Sequence, residues 1–115
     1  MTSKLTFLNI KSRTTLDPSD IAPSERKEGR LKAGSALNCL QDDTSLKIDV
    51  LILKKSTSVI CDDMVEFYED DIRDRKTFTY EEVTGKSSFQ KKRLAVGTSF
   101  FKHMKSTDII EIIVH

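Results

Sequence analysis

Tryptophan is missing from this sequence, and cysteine, histidine and proline occur only twice each. Two cysteines, Cys39 and Cys61, give neither a Cys-x-x-Cys pair nor a Cys/His spacing for zinc, so two reduced, buried thiols are the expectation. The histidines, His103 and His115, offer little general-base chemistry. His103 stands among lysines and is expected to face solvent or a partner, and the terminal His115 to be frayed. A Cys61/His103 nucleophile pair has no supporting motif. No net field exists either, because 19 basic and 18 acidic residues leave a formal charge of +1. Global attraction to nucleic acid or anionic lipid is thereby excluded, and any electrostatic partner must be read from local clusters. The amino terminus has no apolar signal region, and the longest apolar run, Ile109 to Val114, is interrupted by Glu111 and too short to span a bilayer. An intracellular protein of cytoplasm or nucleus, neither secreted nor membrane-bound, is expected.

What is present suits one domain over residues 1–115. A chain of this length buries about two thirds of its unfolded surface, so one core is feasible without disulfide or metal staples. Lys4 to Ile10 reads as a first strand. Lys11 to Gly34 then holds both prolines and two of the four glycines, which predicts a long excursion with a helical turn at Asp17-Pro18-Ser19-Asp20. Leu46 to Ile52 is the clearest strand, with Ile48, Val50 and Ile52 on one face and Lys47 and Asp49 opposite. Thr57 to Cys61, Met64 to Tyr68 and Thr77 to Val83 read as further strands, and Ser88 to Val96 as extended chain. Gly97-Thr98-Ser99 opens a short helix through Lys105 with a hydroxyl cap. Asp108 to Val114 carries apolar residues on both faces, as a central or barrel strand does. The expected fold is mainly β: a small open or closed barrel of about seven short strands with one or two short helices.

Several chemical motifs fail. Gly29-Arg30-Leu31-Lys32-Ala33-Gly34-Ser35 has the glycine interval of a phosphate loop, but Ser35 replaces the essential lysine. Gly97-Thr98-Ser99-Phe100-Phe101 lacks the second glycine of a nucleophile elbow. The acids Asp62, Asp63, Glu66, Glu69, Asp70, Asp71 and Asp74 lack the alternation of a calcium loop and read as a solvated face. A non-enzymatic binding module is expected, with no catalytic residue, no metal site and no cofactor.

Basic clusters are more informative. Arg26, Lys27, Arg30 and Lys32 lie in the early excursion, diluted by Glu25 and Glu28. Lys86, Lys91, Lys92, Arg93, Lys102 and Lys105 fall in a window, Lys86 to Thr107, that contains no acid. Cations on exposed segments rich in hydroxyl residues suit phosphate contact.

Thr14-Thr15-Leu16-Asp17-Pro18-Ser19-Asp20-Ile21, followed by Arg30-Leu31, resembles the opening of the plant "B-three" DNA-binding domain. Lys86-Ser87-Ser88-Phe89, the run Leu94 to Lys102 and the strand start Asp108-Ile109-Ile110 are similar to its later motifs. Thr98 stands where the family has tryptophan and Thr107 where it has glycine. The resemblance implies a seven-stranded open barrel gripping the major groove of double-stranded DNA with two arms. Arg26, Lys27 and Arg30 would lie on or beside the first arm, and Lys86, Ser87, Ser88, Gln90 and Lys91 on the second, with Lys92 and Arg93 in the same basic segment. Arg or Lys would read guanine edges, Gln90 an adenine, and the hydroxyls would meet phosphate. The alternative is a protein-interaction or inhibitor module, such as a viral or bacterial accessory protein, using the acidic stretch or a strand edge. A homodimer is a variant of it.

Overall fold

The computed structural model describes residues 3–34, 37, 44–54, 59–61, 64–84 and 93–115, with backbone alone at 59–61 and 84. Among the described residues the chain is mainly β. Its strands are β1 (Lys4–Phe7), β2 (Ser12–Leu16), β3 (Arg30–Lys32), β4 (Lys47–Lys54), β5 (Val59–Cys61), β6 (Met64–Tyr68), β7 (Ile72–Thr79), β8 (Arg93–Ala95) and β9 (Asp108–Val114). Three short helices join them: α1 (Pro23–Glu28), α2 (Tyr80–Thr84) and α3 (Thr98–Lys102).

The strands form separate sheets rather than a closed barrel: β1-β6-β5, β2-β9-β4-β7 and the ribbon β3-β8. The mainly β fold is as expected, and of the open and closed barrel forms the closed one does not occur: both faces of β4 and β9 are buried, and each is covered by a different layer. One face packs Ile48, Val50, Ile52, Ile110, Ile112 and Val114 against Leu31, Leu94, Val96, Phe100 and Phe101 from the ribbon and α3. The other packs Leu51, Leu53 and Ile113 against Phe7, Val65 and Phe67 of the β1-β6-β5 sheet. The central position expected of β9 is observed, between β2 and β4.

The early excursion is more structured than its composition implies. It contains β2, which pairs along β9, and β3. The helical turn expected at Asp17 forms at Pro18–Asp20, where Asp20 Oδ2 accepts from the Asp17 amide at 2.8 Å. Pro23 starts α1, the Glu25 carboxylate accepts from the Ala22 amide at 2.6 Å, and Gly29 ends the helix in the left-handed region at φ 68°.

The strand expected over Thr77 to Val83 stops at Thr79 and gives way to α2. Thr79 Oγ1 accepts from the Glu82 amide and the Glu82 carboxylate accepts from the Thr79 amide, both at 3.2 Å. This is a capping box, which starts a helix more strongly than β-propensity continues a strand. At α3 no hydroxyl caps the helix; Gly97, at φ 89°, takes the cap position. Nor is His115 frayed. Its amide and carbonyl pair with Lys47 at 2.9 and 2.7 Å, extending the β4–β9 ladder.

Candidate nucleic-acid interface

The ribbon β3-β8 is where the two basic segments meet. Its antiparallel register sets Arg30 opposite Ala95, Leu31 opposite Leu94 and Lys32 opposite Arg93. Leu31 and Leu94 are buried in the core, so strand alternation turns Arg30, Lys32 and Arg93 outward together. Lys32 and Arg93 are like charges directly opposed, an arrangement that costs a fraction of a kcal/mol to about 1 kcal/mol unless an anion is near. Arg93 meets Glu28 at 3.6 Å, a solvent-exposed pair of little strength.

Alongside the ribbon, α1 and α3 are neighbours, and the glycines that flank them meet through backbone. The Gly97 amide donates to the Gly29 carbonyl at 2.8 Å. A Cβ on Gly29 would sit 2.6 Å from Gly97 C and from Thr98 N, so only glycine allows the approach. Between the helices lies an open depression of about 380 Å³ lined by Arg26, Lys27, Thr98, Phe101 and Lys102. Arg26 donates from Nη2 to the Pro18 carbonyl at 3.2 Å. Glu25 faces away from this role, accepting from the Ala22 and Lys32 amides.

Of the residues expected to contact nucleic acid, Arg26, Lys27, Arg30 and Arg93 are thus described, and they fall on adjoining elements. Lys86, Ser87, Ser88, Gln90, Lys91 and Lys92 lie outside the described residues, as does Cys39. Thr98, Phe101 and Lys102 were not expected at a site. The sequence signals for Lys102 are its place in the acid-free window and at the end of the Leu94 to Lys102 run, and the close contact of Gly29 with Gly97 carries none.

Other charged groups have structural partners. Asp49 is fully buried yet accepts from Arg75 Nε at 2.7 Å and Thr77 Oγ1 at 2.6 Å, with His115 Nε2 2.6 Å away. Burial alone would raise its carboxyl, but the Arg75, Thr77 and His115 hydrogen bonds and the Arg75 charge prevail and hold it below the ordinary carboxylate range. Glu111, 1% exposed, takes a two-pronged contact from Arg13 at 2.8 and 3.0 Å and the Thr15 hydroxyl at 2.8 Å. Arg73 Nε stands 2.6 Å from Asp108 Oδ2, paired in charge but misaligned for a hydrogen bond, and Asp108 Oδ1 has no hydrogen-bond partner among the described residues.

In the acidic stretch, Glu66 meets Lys4 at 3.8 Å and Asp74 meets the exposed His103 ring at 3.0 Å. Asp62 and Asp63 lie outside the described residues. Among the described residues no group of three or more His, Cys, Asp or Glu is placed to hold a metal ion, and no helix is long and apolar enough to cross a membrane.

No protein-family model matches the chain, and no curated protein or solved structure matches it significantly. Chemistry and geometry are therefore the grounds on which function is read.

Proposed function

We propose that this chain is a non-enzymatic, intracellular nucleic-acid-binding module that grips double-stranded DNA through two basic segments, residues 24–34 and 86–93. The observation that carries this reading is the ribbon register. Lys32 opposes Arg93 on an outward face that also bears Arg30, so Arg93 at the end of one segment and Arg30 and Lys32 of the other stand on hydrogen-bonded neighbouring strands. Like charges held side by side are relieved by a polyanion. The resemblance to the B-three domain supports the same two-armed mode. Arg26, Lys27 and Arg30 belong to the first arm, and Lys86 to Arg93 supply the second, with phosphate contacts fixing position and base contacts selecting sequence.

The test is duplex binding across a salt series. Affinity is expected to fall linearly on a log–log plot, with a slope of about −0.9 for each phosphate neutralised. The double change Lys91→Glu with Arg93→Glu is expected to abolish binding and leave the folded amide spectrum intact. Undiminished binding by that variant sinks the reading.

A protein-docking function is favoured by one observation. β7 is an eight-residue strand at the edge of its sheet. Its bulge opposite Ile52 and Leu53 and its exposed Arg75 and Lys76 are features that discourage edge pairing, so DNA is the preferred ligand. A stoichiometric, nuclease-insensitive protein partner would reverse that order.

A further inference from the structure

We propose that the depression between α1 and α3 is a seat for a single phosphate group, which, on the nucleic-acid reading above, is a backbone diester contacted without regard to sequence. Arg26, Lys27 and Lys102 bring three cations to its lining and Thr98 a hydroxyl, while among the described residues no carboxylate lines it. Cations at helix ends offset the backbone dipole without needing to share a cavity. Here the last-turn cations of both α1 and α3 line the same one.

The acids of α1 are engaged elsewhere: Glu25 with the Ala22 and Lys32 amides, and Glu28 with Arg93. Phe101 is buried and apolar at the lining, and such a wall strengthens Coulombic attraction relative to water. The Pro18 carbonyl steadies the Arg26 guanidinium through one nitrogen and leaves the rest of its five-donor fork available to a tetrahedral oxyanion. The Gly97–Gly29 backbone contact holds the ends of the two helices close together at the seat.

The experiment is an amide-shift titration of the full chain with sodium phosphate, beside a salt series with duplex DNA. Lys102→Gln and Lys27→Gln are the seat variants, and Lys76→Gln on β7 is the charge-matched control. Phosphate is expected to shift the Lys27, Thr98 and Lys102 amides saturably in the parent chain, and much less in either seat variant. Each seat variant is expected to reduce the duplex salt slope by about 0.9 and to weaken all sequences alike, with Lys76→Gln unchanged. Duplex binding with an unaltered slope in both seat variants, or no saturable shift at those amides, overturns the seat. Failure of the duplex arm together with intact, Lys102-dependent phosphate shifts overturns the nucleic-acid reading and supports the seat as a site for free phosphate.

Discussion

The two faces of the central sheet differ in how much charge they take inside. Towards the β1-β6-β5 sheet, acids are taken inside: Asp49 and Glu111 are buried beside Leu51, Leu53 and Ile113, and arginines reach them from the rim, Arg75 staying exposed. Arg13 and Arg75 neutralise these carboxylates while Phe67 and Phe7 lie over their guanidinium groups, at 5.7 and 5.6 Å from the ring centres. Towards the ribbon and helices the packing is apolar except at the start of β9, where buried Asp108 meets Arg73 at 2.6 Å; the cations of α1, β3 and α3 stand outside the core. The lesson is that a balanced formal charge says little about what is available to a ligand. Arg13, Arg73 and Arg75 pair with buried acids, whereas Arg26, Lys27 and Lys102 line one open depression and Arg30 and Lys32 are exposed on β3, which contacts α1.

The strongest way to break this contrast is Arg13→Ala. It strands the Glu111 carboxylate with only the Thr15 hydroxyl, and a buried charge left unpaired costs about 3 kcal/mol. Denaturant unfolding should show that loss, and the double change Arg13→Leu with Glu111→Leu should recover most of it. Equal loss in both would mean that packing, not charge compensation, holds this face.

On the other face the sensitive point is backbone contact. Gly29→Ala forces a Cβ against Gly97 and Thr98 from a left-handed conformation, an expected loss of about 2 kcal/mol. The same variant should lose the phosphate-induced shifts of the α1–α3 depression. Full stability in Gly29→Ala would show that the helices are not held by this approach.

The smallest effect is the acid dependence. Because the folded-state value of Asp49 lies below its unfolded value of about 3.9, its contribution is complete above that pH and is lost as pH falls through the folded value. Unfolding midpoints measured from neutral pH down to about 3 should therefore decline, and Asp49→Asn, weaker by about 1.5 kcal/mol at neutral pH, should decline less. Parallel curves would remove Asp49 from the acid response.

Much of this architecture was legible in the chain, for physical reasons that differ by element. Met64 to Tyr68 and Asp108 to Val114 were read with the bounds they have, because aliphatic and aromatic residues mark buried strands directly. β2 was missed because Ser12-Arg13-Thr14-Thr15 has no apolar stripe. Its Arg13 and Thr15 are drawn in by Glu111, a partner about a hundred residues away. The start of β7 was hidden in the same way, its charges answering Asp49 and Asp108. α2 could have been found, since Thr79-Tyr80-Glu81-Glu82 spells its capping box.

At the site, the cations of α1 and β3 were legible as a cluster. Their meeting with Lys102 was not, because it depends on a glycine–glycine contact between positions 68 apart in sequence, 29 and 97. His115 shows the converse error. Position at the end of the sequence suggested fraying, yet a ladder to Lys47 and the Asp49 carboxylate hold it.

The most direct measurement is an amide-shift map of the full chain on adding a short DNA duplex at low salt. The account predicts perturbations on Arg26, Lys27, Arg30, Lys32, Arg93, Thr98 and Lys102, with the amides of Arg13, Arg75 and the β1-β6-β5 sheet unmoved. Perturbations confined to that sheet or to the β7 edge, or none at all, would contradict it.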